Sequence, residues 1–233
     1  MKRGKRFVEI EKLVDKEKTY MPKEAIELAK KMANAKFDES VELTLKLGVD
    51  PRHADQMVRG VAVLPHGTGK KVRILAFAEG GEAEEAKKAG ADFVGGKELV
   101  EKIQKGWLEF DKVVSTPAMM KEVSKLGNIL GPRGMMPSPK TGTVSNKLGP
   151  VIQELKRGRL EFKVDKGGNL HLIIGKKSFP EEKLLENLGA VVKAVLKAKP
   201  TGLKGTYIQK AYLSTTMSPS IKLNLKELVE LAR

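Results

Sequence analysis

The sequence predicts an α/β protein of two domains, one interrupted by the other. Segments near both ends alternate apolar and polar residues with period two, whereas the centre runs as apolar strands and amphipathic helices in turn. Alternation suits an antiparallel sheet with one dry face. Continuous apolar strands between helices suit a parallel sheet covered on both sides. The two patterns change over at glycines, so the outer segments should form one discontinuous, two-layer α/β domain around a small Rossmann-like insert. The expected bounds are 1–67 with 159–233, and 68–158.

In chain order, Met1 to Lys18 is charged, with a weak helical pattern over Val8 to Val14. Pro22 suits the first turn of a helix carrying Ile26, Ala29 and Ala33 to about Ala35. Val41, Leu43, Leu45 and Leu47 then alternate with Glu42, Thr44 and Lys46 as a strand, and a second strand covers Val61 to Leu64. The insert begins with the nearly continuous Val72 to Ala78. It continues as helix (80–89), strand (92–95), helix (98–105) and strand (112–115). Thr116-Pro117 is expected to open a further helix with Thr116 as its N-cap. A last helix should cover Leu148 to Arg157. Short connections between parallel strands imply right-handed crossovers.

From Arg159 the alternation returns, in Leu160, Phe162 and Val164 and again in Leu170, Leu172 and Ile174. Asp165-Lys-Gly-Gly-Asn169 reads as the hairpin turn between them. Leu184, Leu188, Val191 and Val195 mark an amphipathic helix. Strands over 206–215 and 220–224 and a short tail helix complete the chain. Glycines at the two crossings, Gly67, Gly69 and Gly158, are the expected hinge.

The 233 residues carry a formal net charge of +15, which favours polyanionic partners. There are no cysteines, which excludes disulfides, zinc–thiolate sites and cysteine nucleophiles. No apolar run approaches the roughly 20 residues of a membrane span, so a soluble, unexported protein without membrane contact is expected. His66-Gly-Thr-Gly-Lys70 lacks the glycine spacing and the Ser/Thr of a phosphate loop. His53, His66 and His171 are far apart, and no nucleophile elbow occurs. Neither catalysis, a metal nor a cofactor is expected. Acids are missing from Asn187 to Lys226, while Lys193, Lys197, Lys199, Lys204, Lys210 and Lys222 are present. That pattern suits phosphate contacts, or equally a solvated basic face. Aromatics total only 5%, which argues for reading the shape of a folded RNA rather than stacking on its bases.

The stretch Leu126-Gly-Asn-Ile-Leu-Gly-Pro-Arg-Gly-Met-Met-Pro-Ser-Pro-Lys-Thr-Gly-Thr-Val144 is punctuated by four glycines and three prolines. Alternating a fixed and a permissive residue writes one path, through which no regular helix or strand should run. This stretch closely resembles the signature of the bacterial ribosomal protein L-one family. The resemblance continues through Phe37-Asp38, Gly48 to Pro51, Leu64 to Gly67, Asp165-Lys166, Gly175-Lys176 and Thr215 to Met217.

The resemblance implies the same discontinuous two-domain plan. It also implies a structural, non-enzymatic role on the large subunit of the cytoplasmic ribosome, for a protein monomeric when free. The implied partners are large-subunit rRNA in the mobile stalk, deacylated tRNA leaving the exit site, and the protein's own operon mRNA, whose translation it would repress. The implied RNA face gathers Glu27, Lys36, Phe37 and Ser40, then Lys163, Asp165, Lys166 and His171, then Ser214, Thr215, Thr216, Met217 and Ser218. Ser40 and Ser218 depart from the family pattern, which has Thr and Gly there. Arg133 and Lys140 are the candidate tRNA-facing residues. The competing expectations are an enzyme using the Rossmann-like domain on a phosphorylated ligand, and a non-specific basic RNA chaperone.

Overall fold

The structure, a computed structural model, describes residues 4–203 and 205–232, with Ala54 and Lys140 described by backbone alone. The chain divides into two compact units, Met1–Gly69 with Gly158–Arg233, and Lys70–Arg157.

The first unit is built on β1 (Ser40–Leu47), which pairs antiparallel with β7 (Asn169–Lys176) on one side and β8 (Ile208–Thr215) on the other. A two-residue β9 (Ile221–Lys222) completes the order β7-β1-β8-β9. Val41, Leu43, Leu45 and Leu47 are wholly buried. Each such side chain contributes roughly 1.5–3 kcal/mol on leaving water. They meet Ala25, Ile26, Ala29 and Met32 of helix α2 (Pro22–Met32), and Leu184, Leu188, Val191 and Val195 of helix α8 (Glu181–Lys197). Helices thus cover one face of the sheet and leave the other open. α1 (Lys5–Glu11) precedes this core and lends it Ile10, and α9 (Leu225–Glu230) closes the chain.

A second sheet corrects the hairpin expectation. β6 (Arg159–Lys163) pairs antiparallel with β2 (Arg59–Val63), and β7 pairs with β1 instead. The turn Asp165 to Asn169 does close, with Asp165 N–H donating to the Asn169 carbonyl at 2.9 Å. The strands it joins then part into different sheets.

The second unit is a three-stranded parallel sheet in the order β4-β3-β5, with ranges Phe93–Gly95, Ile74–Phe77 and Lys112–Ser115. Ile74, Ala76 and Val114 pack with Ala86 of α3 (Gly81–Lys88) and with Leu148, Ile152 and Leu155 of α7 (Leu148–Arg157). Leu75, Phe77 and Val113 pack with Leu99, Val100 and Ile103 of α4 (Lys97–Gln104). Coverage on both faces explains the unbroken apolar strand.

The helix expected at Thr116 begins only at Met120, as α5 (Met120–Val123). The Thr116 hydroxyl accepts from Met119 N–H at 3.4 Å in the turn before it. The Gly/Pro stretch does contain one helical turn, α6 (Gly127–Leu130), and a 3-10 turn at Pro139–Thr141. It returns to the sheet by a parallel bridge between Val144 and Ser115. Ser138 N–H donates to the Thr143 hydroxyl at 2.8 Å, and Met135 and Met136 pack against the core beside α4. This loop is tied to its own unit.

Candidate RNA-binding face

The open face of the sheet is the alternate set of each strand: Ser40, Glu42, Thr44 and Lys46 on β1, His171 and Ile173 on β7, and Tyr212 and Ser214 on β8. Ser214 lies opposite Glu42, and His171 opposite Thr44, whose hydroxyl is 3.3 Å from the ring Nδ1. Apart from Glu27 on α2, the RNA-facing residues implied by the resemblance collect in two groups toward the two ends of this face. They are about 20 Å apart, at roughly 3.4 Å per strand residue from Ser40 to Lys46.

The first group sits where β1 begins and β8 ends. Phe37 is 52% exposed and Met217 46% exposed, beside Lys36, Ser40 and Thr216. Two large apolar side chains are thus left in water next to hydrogen-bonding groups. Ser40 N–H donates to the Thr216 hydroxyl at 3.0 Å, and the Lys176 ammonium reaches the Ser40 hydroxyl at 2.9 Å. Asp38 takes both the N–H and the hydroxyl of Ser178, tying this loop to the end of β7.

Beneath the group lies Glu39, with no exposed surface. Its carboxylate accepts from Ala35 N–H at 3.0 Å, the Thr215 hydroxyl at 2.7 Å and Met217 N–H at 3.0 Å. Burial pushes this carboxyl up. The hydrogen bonds from Thr215, Ala35 and Met217, with the charge of Arg6, outweigh that and leave it below its ordinary value. One buried anion therefore sets the 35–40 loop against the 215–217 turn. Thr215 itself is 3% exposed and points inward. The Ser218 hydroxyl also turns in, accepting from Thr215 N–H and donating to the Pro219 carbonyl.

The second group is the Asp165 turn. Asp165 accepts from Gly167 N–H, Asn169 N–H and the Asn169 side chain, and His171 Nε2 stands 3.7 Å from it. The Asn169 backbone N–H, then its side chain, hold this carboxyl below its ordinary value, against a small opposing effect of burial. The Lys46 ammonium binds the Gly167 carbonyl, joining the turn to the end of β1. Lys163 and Lys166 are exposed on either side of Asp165. Glu27 is half-buried on α2, and no hydrogen bond or ion pair joins it to either group among the described residues.

Arg133 is exposed on the Gly/Pro loop, while the side chain of Lys140 and all of Lys204 lie outside the described residues. Gly67, Gly69 and Gly158 all have positive φ, and a Cβ on Gly158 would overlap the Gly67 backbone. Asn187, fully buried on α8, accepts from His66 N–H and donates to the carbonyls of Gly67 and Ile174. Sequence reading missed Asn187 and Glu39. A polar residue inside the apolar stripe of α8 was the available signal for Asn187. Among the described residues, no group of His, Asp or Glu could hold a metal ion, and no helix is long and apolar enough to cross a membrane.

A family model described as "Ribosomal protein L1p/L10e family" matches residues 29–219. The chain belongs to that family. It is therefore a constituent of the ribosome and not an enzyme, and the expectation of a phosphorylated-ligand enzyme falls. The chain is 56% identical over 224 residues to a protein of Thermosipho melanesiensis named large ribosomal subunit protein uL1, covering 96% of this chain and 97% of that one. The family match, residues 29–219, reaches into both units and takes in both groups on the open face.

Proposed function

We propose that this ribosomal protein docks on large-subunit rRNA through the open face of the first unit's sheet, from Phe37 and Met217 at one end to the Asp165 turn at the other. The observation that carries the reading is the pair of exposed apolar side chains, Phe37 and Met217, set among Ser40, Thr216 and Lys36. Such a group covers and hydrogen-bonds a folded RNA through its 2′-hydroxyls, and the surrounding lysines add salt-dependent attraction to phosphates. The name of the Thermosipho relative supports the large subunit as its place. The same face would take a like-shaped structure in the operon mRNA, which makes self-repression a competition between two RNAs. The second unit, presenting Arg133 and swinging at Gly67, Gly69 and Gly158, is then the part that handles departing tRNA.

The test is binding of the full-length protein to a large-subunit rRNA fragment and to bulk RNA, across a series of salt concentrations. Met217→Ala should weaken specific binding by about 1–3 kcal/mol and leave the salt slope unchanged. Bulk RNA affinity should stay the same. Equal losses on both RNAs would instead support the non-specific basic chaperone.

A further inference from the structure

Between α1 and the 216–218 turn lies a recess of about 540 Å³, lined by Gly4, Arg6, Phe7, Thr216, Met217 and Ser218. None of the described residues that line it is acidic. The Arg6 guanidinium is fixed at its edge by two bonds across the chain. Nη1 donates to Asn34 Oδ1 at 2.7 Å, and Nη2 to the Met217 carbonyl at 3.2 Å. A guanidinium carries more N–H donors than these two bonds use, and a held fork loses less entropy when it meets an anion. The Thr216 hydroxyl accepts from Ser40 N–H, which leaves its own proton to donate outward. Half-buried Phe7 and exposed Met217 supply apolar walls. A planar fork for phosphate, a hydroxyl donor and apolar sides are together the fittings for one unstacked nucleotide.

We propose that this recess seats a single nucleotide of the RNA bound on the sheet face, with its phosphate on Arg6. The inference rests on the RNA-binding reading above and deepens it, since it makes the N-terminal helix a further wall of the same site. Arg6 would contact RNA, where the hydrogen bonds alone would make it only a brace for Met217.

The experiment titrates full-length protein with the rRNA fragment at several salt concentrations. Arg6→Gln should bind about tenfold more weakly, and the slope of log affinity against log salt should flatten by about one phosphate contact. Arg6→Lys should keep the slope. Weaker binding of Arg6→Gln with an unchanged slope would mean that Arg6 only positions Met217, and overturns the proposal; unchanged binding overturns it too. Thr216→Ala separates the levels. If it weakens binding while Arg6→Gln does not, only the recess fails; if neither does, the RNA face fails with it. A second measurement needs no variant: bound rRNA fragment should protect Arg6 of the unmodified protein from an arginine-specific dicarbonyl reagent. Undiminished modification in the complex would overturn the proposal.

Discussion

Glu39 offers the sharpest test of how the exposed group is held. Glu39→Ala removes the acceptor of three donors, Ala35 N–H, the Thr215 hydroxyl and Met217 N–H. Hydrogen bonds to a charged group contribute about 1.5–3 kcal/mol each, so the three sum to about 4.5–9 kcal/mol before relaxation. Water entering the vacated space recovers part of this, and a loss of about 3–5 kcal/mol is expected. Glu39→Gln should lose less. With its one remaining oxygen in place of Oε2, Gln keeps the bonds from Thr215 and Met217. It turns an amide toward Ala35 N–H, a loss of about 1–3 kcal/mol. Because the folded carboxyl titrates below its ordinary 4.5, its stabilisation is fully present above about pH 4.5 and is lost as the pH falls through the folded value. Urea unfolding followed from neutral pH into acid should therefore show the gap between wild type and Glu39→Ala narrowing below about pH 4.5. A neutral-pH loss under about 1 kcal/mol, or a gap that does not narrow in acid, would refute the account of Glu39 as a buried anionic clamp.

Three further outcomes follow from the geometry. Asn187→Ala orphans His66 N–H and the carbonyls of Gly67 and Ile174, and should lower stability by about 2–4 kcal/mol in urea titration; an unmoved midpoint would show that the crossing has another anchor. Asp165→Ala should lower stability by about 0.5–1.5 kcal/mol at neutral pH, since this carboxylate is partly exposed. Its folded carboxyl also lies below the ordinary 3.8, so thermal melts should show that difference fading as the pH falls through the folded value. Arg133→Glu combined with Lys140→Glu should leave rRNA-fragment binding intact and slow tRNA release from reconstituted ribosomes. Unchanged release at full occupancy would leave the Gly/Pro loop a purely structural role.

The parts of the fold that a short window can carry were legible in the sequence. Val41 to Leu47 states its own dry face, and Val72 to Ala78 states that it is covered on both. Partner choice was not legible. Arg159–Lys163 and Asn169–Lys176 both alternate around a good turn, which describes a hairpin equally well. Their actual partners, β2 and β1, lie about a hundred residues or more upstream, beyond any local pattern. The site divides the same way. Exposed members such as Phe37 and Met217 were named from the resemblance, whereas Glu39 looked like one more acid in a charged loop. Its role depends on Thr215 and Met217, which are 176 and 178 positions away. Thr215 shows the converse, a hydroxyl named for RNA that the fold spends on Glu39.

The interrupted connectivity also sets an order of events as the chain leaves the ribosome that makes it. β1 exposes Val41, Leu43, Leu45 and Leu47 early, yet both strands that flank it, β7 and β8, lie beyond the insert. Asn169 follows Leu47 by 122 positions. At roughly 5–20 residues per second, that is a wait of about 6–24 s with an unpaired apolar strand. The continuous segment Lys70–Arg157 has no such wait, because every strand of its own sheet is contained within it. The later-made unit is thus the first whose sheet can close, and the earlier-made one must be sheltered until its second half arrives.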